Sequence, residues 1–260
     1  MKKDIYMSKK WNIKENDMGN SKMYNVIFCG YRDWAIRIID HVASFDTVNS
    51  VHIIKSKEQY DQIIPTVCFD NIDFMLFIGW SWIIKDDILE KCLCLGIHPS
   101  DLPHYRGGSP IQHQIMAGLT HTKITLMSLS SQEIDAGDIY AKEYVLLTGN
   151  NMNEVFEHII ESSKKLLRNF ISNYDFVKPL RQSLESGSYY KRRKPEESKL
   201  SIKMMSCMTL EQLYDFIRSL TDPYPNAYLE DEKGNRLLFK QVEFISNTPP
   251  TIIESNKKTC

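Results

Sequence analysis

The chain has 260 residues, of which 42% are hydrophobic and 25% charged, and its formal net charge is −1. These values are ordinary for a globular protein with a sizeable core, and they exclude a disordered, collagen-like or strongly basic chain. Because no apolar run approaches the ~20 residues of a membrane span and no signal-peptide pattern opens the chain, we expect a cytoplasmic protein without membrane contact.

The first half of the chain has the pattern of an α/β protein. Residues 1–22 are polar and lysine-rich, which predicts a poorly ordered extension. An apolar run over 24–30 predicts a strand that ends on glycine, and helical spacing follows over 32–42, with Asp33 as a candidate cap. The missing GxGxxG pattern argues against a dinucleotide site. Further strands are predicted at 51–54, 74–79 and 91–95, and short helices at 59–64 and 85–89.

The second half continues this pattern and then changes. A long amphipathic helix over 153–174 closes the main unit, and a helix and a hairpin follow it. The remaining predicted elements are a helix at 110–118, strands at 123–129 and 138–145, a helix at 209–220, and a hairpin strand at 237–245. The sequence therefore predicts an α/β fold, with a Rossmann-like open, mostly parallel sheet, flanking helices and a small α+β C-terminal domain. The predicted divisions are an extension (1–22), a catalytic domain (23–184), a linker or substrate segment (185–200), the small domain (201–248) and a tail (249–260).

One irregular stretch, over 95–110, has the character of a site. It contains His98, three prolines and three glycines, so its backbone follows a defined path that is not a regular element. A second segment, over 133–139, places Asp135 on a tight glycine turn. The first stretch alone is also consistent with a surface loop carrying an incidental histidine, whereas the two together predict a histidine–carboxylate pair.

The two segments resemble the folate-dependent formyltransferase family. The run HPSDLPHYRGGSP begins at His98, and IDAGDI begins at Ile134. The resemblance covers roughly residues 24–245, and this pair of motifs is far more specific than a lone glycine motif. Members of the family transfer a formyl group from 10-formyltetrahydrofolate to methionyl-tRNA, glycinamide ribonucleotide or amino-sugar nucleotides. The resemblance implies that His98 and Asp135 are catalytic.

Gly96 stands where the family has an asparagine two residues before the histidine. Losing one amide donor to a developing oxyanion typically costs about 10²–10³ in rate. Three explanations stay open: a water or another side chain replaces the amide, the glycine backbone approaches the formyl group, or the site is inactive. We expect Gly96 to be part of an active site in which His98 relays the proton and Asp135 orients the ring.

The resemblance also implies the residues that bind the two substrates, and no metal is expected because no paired ligand spacing occurs. The tryptophans can equally be core residues, and the basic run over 191–194 can be a solvated linker. The expected folate-binding residues are Phe77, Gly79, Trp80, Trp82, Leu102, Pro103, Arg106, Gly107 and Asp138. The expected acceptor-binding residues are Gly108, Ser109, Gln112, Tyr189, Arg192, Arg193, Lys194, Glu197, Tyr224 and Asn226.

The expected acceptor is a nucleotide-linked amino sugar, as in the sugar N-formyltransferases of surface-polysaccharide and O-antigen biosynthesis. Methionyl-tRNA is the alternative acceptor. The short carboxyl domain and the near-neutral charge disfavour it, and they argue against a nucleic-acid partner. A folate- or nucleotide-binding protein without turnover is the alternative from another class. The six cysteines show no paired metal spacing and are expected to be free thiols. A homodimer through the exposed hairpin strands stays open.

Overall fold

The computed structural model describes residues 22–247. The predicted extension, apart from Lys22, and the predicted tail lie outside the described residues. Within the described range, none of the helices combines the length and apolarity needed to cross a bilayer. The predicted division of the chain into domains stays a prediction.

The regular elements follow the predicted order. The strands are Tyr24–Cys29 (β1), Val48–Ile54 (β2), Phe74–Phe77 (β3), Cys94–His98 (β4), Arg106–Gly107 (β5), His121–Ser128 (β6), Ile139–Leu146 (β7), Tyr189–Tyr190 (β8), Ala227–Glu230 (β9) and Arg236–Phe239 (β10). The α-helices are Asp33–Ala43 (α1), Lys57–Ile63 (α2), Asp86–Leu89 (α3), Pro110–Met116 (α4), Met152–Ser172 (α5), Ile202–Ser206 (α6) and Leu210–Arg218 (α7).

Six strands form one open sheet in the order β2-β1-β3-β4-β6-β7. The pairs β1–β2, β1–β3 and β3–β4 are parallel, whereas β6 runs antiparallel to both β4 and β7. Helices flank this sheet, and α6, α7 and the β9–β10 hairpin follow it. The predicted fold class, with a mostly parallel open sheet, is therefore confirmed.

The central strands are buried on both faces, as their uninterrupted apolar runs predict. Val26 and Phe28 of β1 point into the core shared with α1 and α5, while Ile27 and Cys29 point into the core that contains Tyr60. This alternation follows from the two-residue period of a strand. The sheet therefore holds the end of β4 rigidly between two packed layers.

Three details differ from the predictions. The strand expected at 91–95 is instead Cys94–His98, because its ladder begins where β3 is available to pair, so His98 is the last strand residue. The N-cap of α1 is Arg32 rather than Asp33, which lies in the first turn of the helix. The hairpin strand expected at 237–245 is only Arg236–Phe239, since β9 offers four residues for pairing.

Arg218 joins the C-terminal helix to the main unit. Its guanidinium is 4% exposed and donates to Asp215 (2.7 Å), to the carbonyl of Leu147 (2.6 Å) and to that of Gly149 (3.2 Å). A buried charge with this many acceptors is satisfied, and its removal leaves several acceptors without a donor. The contact therefore fixes α7 against the chain that follows β7.

We predict that Arg218→Ala lowers the free energy of unfolding by about 3–5 kcal/mol, the usual cost of breaking a buried ion pair. The matched control is Arg236→Ala, because Arg236 also pairs through Nε with a carboxylate but is exposed. We expect it to cost at most about 1 kcal/mol. Urea unfolding of both variants measures the difference, and equal losses would contradict an anchoring role for Arg218.

Candidate active site

His98 is placed at the carboxyl edge of the sheet by β4, and its side chain is only 7% exposed. Its Nε2 lies 2.8 Å from the carbonyl oxygen of Tyr105, and its Nδ1 lies 3.4 Å from Asp135 Oδ2. Because a carbonyl oxygen can only accept, the short contact requires a proton on Nε2. Both ring nitrogens therefore face oxygen acceptors.

Asp135 reaches the histidine from the turn between β6 and β7. Its Oδ2 also accepts a hydrogen bond from the backbone N–H of Gly107 (2.9 Å). The turn is held from below by Gln182, whose amide donates to the carbonyl oxygens of Asp135 (3.0 Å) and Gly137 (2.6 Å). A Cβ at Gly137 would lie 1.8 Å from the carbonyl oxygen of Ser128, so this turn requires glycine.

The linker predicted over 185–200 packs against the histidine loop. Strands β5 and β8 pair in parallel, which the sequence did not indicate. A Cβ at Gly107 would lie 2.2 Å from the carbonyl oxygen of Tyr190, and one at Gly108 would lie 2.3 Å from Cα of Arg192. Tyr105 stacks on Tyr190 with 5.1 Å between ring centroids. The glycines after Arg106 therefore permit close approach of the linker backbone.

Backbone strain is concentrated in the same place. Tyr105, Ser109 and Asp135 have φ values of 57°, 56° and 55°, in the left-handed region that non-glycine residues rarely adopt. Each such residue costs of the order of 1–3 kcal/mol and persists where its surroundings impose it. All three residues lie beside the His98–Asp135 pair or on its loop, which is typical of a functional site.

A cleft of about 660 Å³ opens over His98 and Asp135, a volume suited to a small-molecule ligand. The structure brings most of the predicted site residues to its walls. These are Phe77, Gly79, Trp80, Trp82, Gly96, His98, Gly107, Gly108, Ser109, Gln112, Asp135, Tyr189, Arg192, Arg193 and Tyr224.

One wall of the cleft is aromatic. Trp80 and Trp82 contact each other at 4.8 Å between ring centroids, and Tyr31 lies 4.8 Å from Trp82. The indole N–H of Trp80 is buried and meets no acceptor among the described residues. The wall fits a flat heteroaromatic ring such as a pterin.

The opposite end of the cleft is basic and polar. Burial raises the pKa of Tyr224, while a hydrogen bond with Gln112 and the charges of Arg32 and Arg192 act to lower it. Gln112 is 2% exposed, and its Oε1 has no partner in the described part of the chain. Burial lowers the pKa of Arg193, and an anion bound beside it would stabilise its charge. With Arg32, Arg192 and Arg193 in its lining, this end can bind an anionic ligand.

Four predicted folate-binding residues do not line the cleft. Leu102 is fully buried, and Pro103 accepts a hydrogen bond from the linker through its carbonyl. Arg106 is buried in an ion pair with Glu133. Asp138 pairs with Ser128 through its backbone. Each of these residues supports the loop or the turn, so their predicted contact with folate stays a prediction.

Three predicted acceptor-binding residues are also used structurally. Glu197 accepts from the backbone N–H of Lys194 (2.5 Å), and the two residues begin a short 3₁₀ helix. The amide of Asn226 donates to the carbonyl oxygens of Leu220 (3.2 Å) and Tyr224 (3.3 Å), which closes the loop before β9. These side chains lie outside the cleft wall.

Several cleft residues were missed by the sequence reasoning. Arg32 follows directly on the first strand, at the sheet edge where ligands bind in α/β folds, and that position was an available signal. Leu129 lies over Gly96, where a Cβ would meet its Cδ2 at 2.7 Å. No pattern in the sequence pointed to Leu129. Within residues 22–247, no three His, Cys, Asp or Glu side chains are arranged to hold a metal ion.

Comparison with known proteins gives the family. The family model described as "Formyl transferase" matches residues 35–169, which is more than half of the chain. The chain belongs to the formyl transferase family. A solved structure of methionyl-tRNA formyltransferase from Clostridium thermocellum is 30% identical, with a TM-score of 0.71, covering 87% of this chain and 96% of that one.

Two further similar proteins give different kinds of information about this family member, one on sequence and one on fold. Methionyl-tRNA formyltransferase from Rickettsia massiliae is 31% identical over 165 residues, covering 61% of this chain. The chain spans about half the length of the curated relatives it matches. An N-formyltransferase from Helicobacter canadensis, in complex with folinic acid and dTDP-3-aminofucose, is 18% identical with a TM-score of 0.56, covering 76% of this chain and 80% of that one. That likeness shows the fold alone.

We predict that Gly107→Ala detaches the linker from the loop, because the new Cβ would overlap the carbonyl of Tyr190. Trypsin should then cleave faster at Lys191, Arg192 and Arg193. Gly118→Ala is the matched control, because its φ of +79° resembles the +92° of Gly107 but no described atom lies within 4 Å of its Cβ. We expect the control to cost only about 1–2 kcal/mol of backbone strain. Unchanged cleavage in Gly107→Ala would contradict the steric explanation.

Proposed function

We propose that this chain transfers a formyl group from 10-formyltetrahydrofolate to the amine of a nucleotide-linked amino sugar. The observation that carries the proposal is that Tyr189, Arg192 and Arg193 of the linker line the same cleft as the His98–Asp135 pair. A cleft that joins a histidine–carboxylate pair to an aromatic wall and a basic end suits two substrates, one with a flat ring and one with phosphates.

The reaction requires a neutral amine, a stabilised tetrahedral oxyanion and a path for one proton. A bound 10-formyltetrahydrofolate supplies the formyl group. A bond forms between the amine nitrogen and the formyl carbon, the bond from that carbon to the folate nitrogen breaks, and the amine proton ends on the folate nitrogen. His98 moves this proton, and Asp135 holds the ring and stabilises its charged form.

The aromatic wall and the basic end have separate roles. Trp80 and Trp82 provide an apolar face for the folate ring. Arg192 and Arg193 bind the phosphates of the acceptor. This arrangement holds the acceptor amine over His98.

Methionyl-tRNA is the second candidate acceptor, because the curated relatives are methionyl-tRNA formyltransferases. The linker arginines would suit the phosphates of a tRNA end as well. A protein that binds folate or nucleotide without turnover is the third interpretation, since Gly96 lacks an amide side chain. The expected cytoplasmic location and the homodimer stay predictions.

We predict formyl transfer by the purified protein from 10-formyltetrahydrofolate to a panel of dTDP-, UDP- and GDP-linked amino sugars. His98→Ala and Asp135→Asn should each lower kcat by about 10²–10⁴, the range for removing general acid–base catalysis. His104→Ala is the matched control, because His104 is an exposed histidine of the same loop. It should leave kcat within about twofold, as an exposed substitution normally does.

The panel includes methionyl-tRNA so that the two acceptor classes are compared directly. Transfer to the tRNA alone would overturn the amino-sugar assignment. Folate binding without transfer to any acceptor would favour the non-catalytic interpretation. Equal activity of His98→Ala and the wild type would remove His98 from the mechanism.

We further predict that Gly96→Asn lowers activity because the new side chain would collide with Leu129, whose Cδ2 lies 2.7 Å from the position that a Cβ at residue 96 would take. Leu129→Ala makes room, so the double variant should recover activity relative to Gly96→Asn alone. A double-mutant cycle on kcat/KM should give a coupling of about 0.5–3 kcal/mol, as for residues in contact. Additive effects would show that Leu129 does not occupy the space of an asparagine.

A further inference from the structure

Ser188 of the linker bonds to the histidine loop through its backbone and its side chain. Its N–H donates to the carbonyl of Pro103 (3.1 Å), and its own carbonyl accepts from the N–H of Arg106 (2.9 Å). Its Oγ accepts from the N–H of Tyr105 (2.9 Å). One linker residue therefore holds three positions of the loop that follows His98.

Tyr105 transmits this contact to the histidine. Its N–H is held by Ser188 Oγ, and its carbonyl oxygen lies 2.8 Å from His98 Nε2. The φ of Tyr105 is 57°, in a region that non-glycine residues rarely adopt. This conformation sets the orientation of the peptide groups on the two sides of Tyr105. The hydroxyl of Ser188 holds the first of these peptide groups. The second bonds the imidazole through its carbonyl oxygen and the Ser188 carbonyl through the N–H of Arg106.

We propose that Ser188 is a positioning residue for His98, acting through the backbone of Tyr105. This inference rests on the proposed function of His98, and it assigns the linker a part in proton transfer besides acceptor binding. The orientation of the ring is set by the Tyr105 carbonyl. The peptide group of this carbonyl is held by the Ser188 backbone carbonyl, and the Ser188 hydroxyl holds the peptide group on the other side of Tyr105.

The hydroxyl can be removed without removing the strand pairing. Both bonds of Ser188 to Pro103 and Arg106 use backbone atoms, so they remain available in Ser188→Ala. Only the bond to Tyr105 is lost. Ser188→Thr keeps the hydroxyl and is the conservative variant. Ser186→Ala is the matched control, because the Ser186 hydroxyl bonds only locally, to the carbonyl of Ser183 (2.9 Å) among its described contacts.

The first test is steady-state formyl transfer by the full chain. Ser188→Ala should lower kcat by roughly tenfold or more, since a misplacement of about 1 Å can cost about 100-fold, while KM for both substrates changes little. Ser188→Thr should retain most of the wild-type kcat, and Ser186→Ala should match the wild type. A loss of kcat in Ser188→Thr equal to that in Ser188→Ala, or no loss in Ser188→Ala, would overturn the proposal.

The second test needs no turnover. The ¹⁵N resonances of the histidine rings are recorded without substrates, and His98 is assigned by its absence in His98→Gln. The Nε2 resonance of His98 should shift in Ser188→Ala and not in Ser186→Ala. An unshifted resonance together with a lower unfolding free energy would show a purely structural role. If the wild type transfers no formyl group, the proposed function fails, and this spectrum still decides whether Ser188 positions His98.

Discussion

The carboxylate of Asp135 is the contact on which the site depends. Its Oδ2 accepts from the N–H of Gly107 at 2.9 Å and faces His98 Nδ1 at 3.4 Å, and the side chain is 17% exposed. A carboxylate removed from water needs donors to compensate its lost hydration, and these two groups provide them. The end of β4, the loop after it and the turn between β6 and β7 must therefore all be in place before the charge is satisfied.

Close backbone approach is what brings these segments together. Gly107 and Gly108 lie against the linker backbone, and Gly137 lies against Ser128, at distances that exclude any side chain. Three residues with left-handed backbone conformations lie within two positions of these glycines: Tyr105, Ser109 and Asp135. Backbone strain of this kind persists only where packing and hydrogen bonds elsewhere stabilise the fold enough to impose it. The cores on the two faces of the sheet supply that stability. The site is thus rigid because its frame is rigid.

The sequence predicted the parts of the fold that periodicity encodes. The apolar runs of β1 and β3 and the amphipathic pattern of α5 were sufficient, and the His98 and Asp135 motifs located the pair. The predicted start of β4 was wrong because an apolar run does not show at which residue the neighbouring strand begins to pair with it. The β5–β8 pairing has no periodic signal at all, since two residues pair with two others about eighty positions away. Leu129 reaches the cleft only through the three-dimensional arrangement of the sheet, whereas the position of Arg32 after β1 was a signal that the sequence did offer.

The absence of the family's asparagine at position 96 changes the site only locally. His98 is held by the carbonyl of Tyr105, and Asp135 by the N–H of Gly107 and by the turn, so neither depends on a side chain at position 96. What glycine changes is the space above it, which the tip of Leu129 fills. Because the bonds that hold His98 and Asp135 use other residues, the amide donor is absent without any loss of the frame. In the proposed reaction, the missing donor would therefore weaken oxyanion stabilisation and leave the His98–Asp135 pair in place.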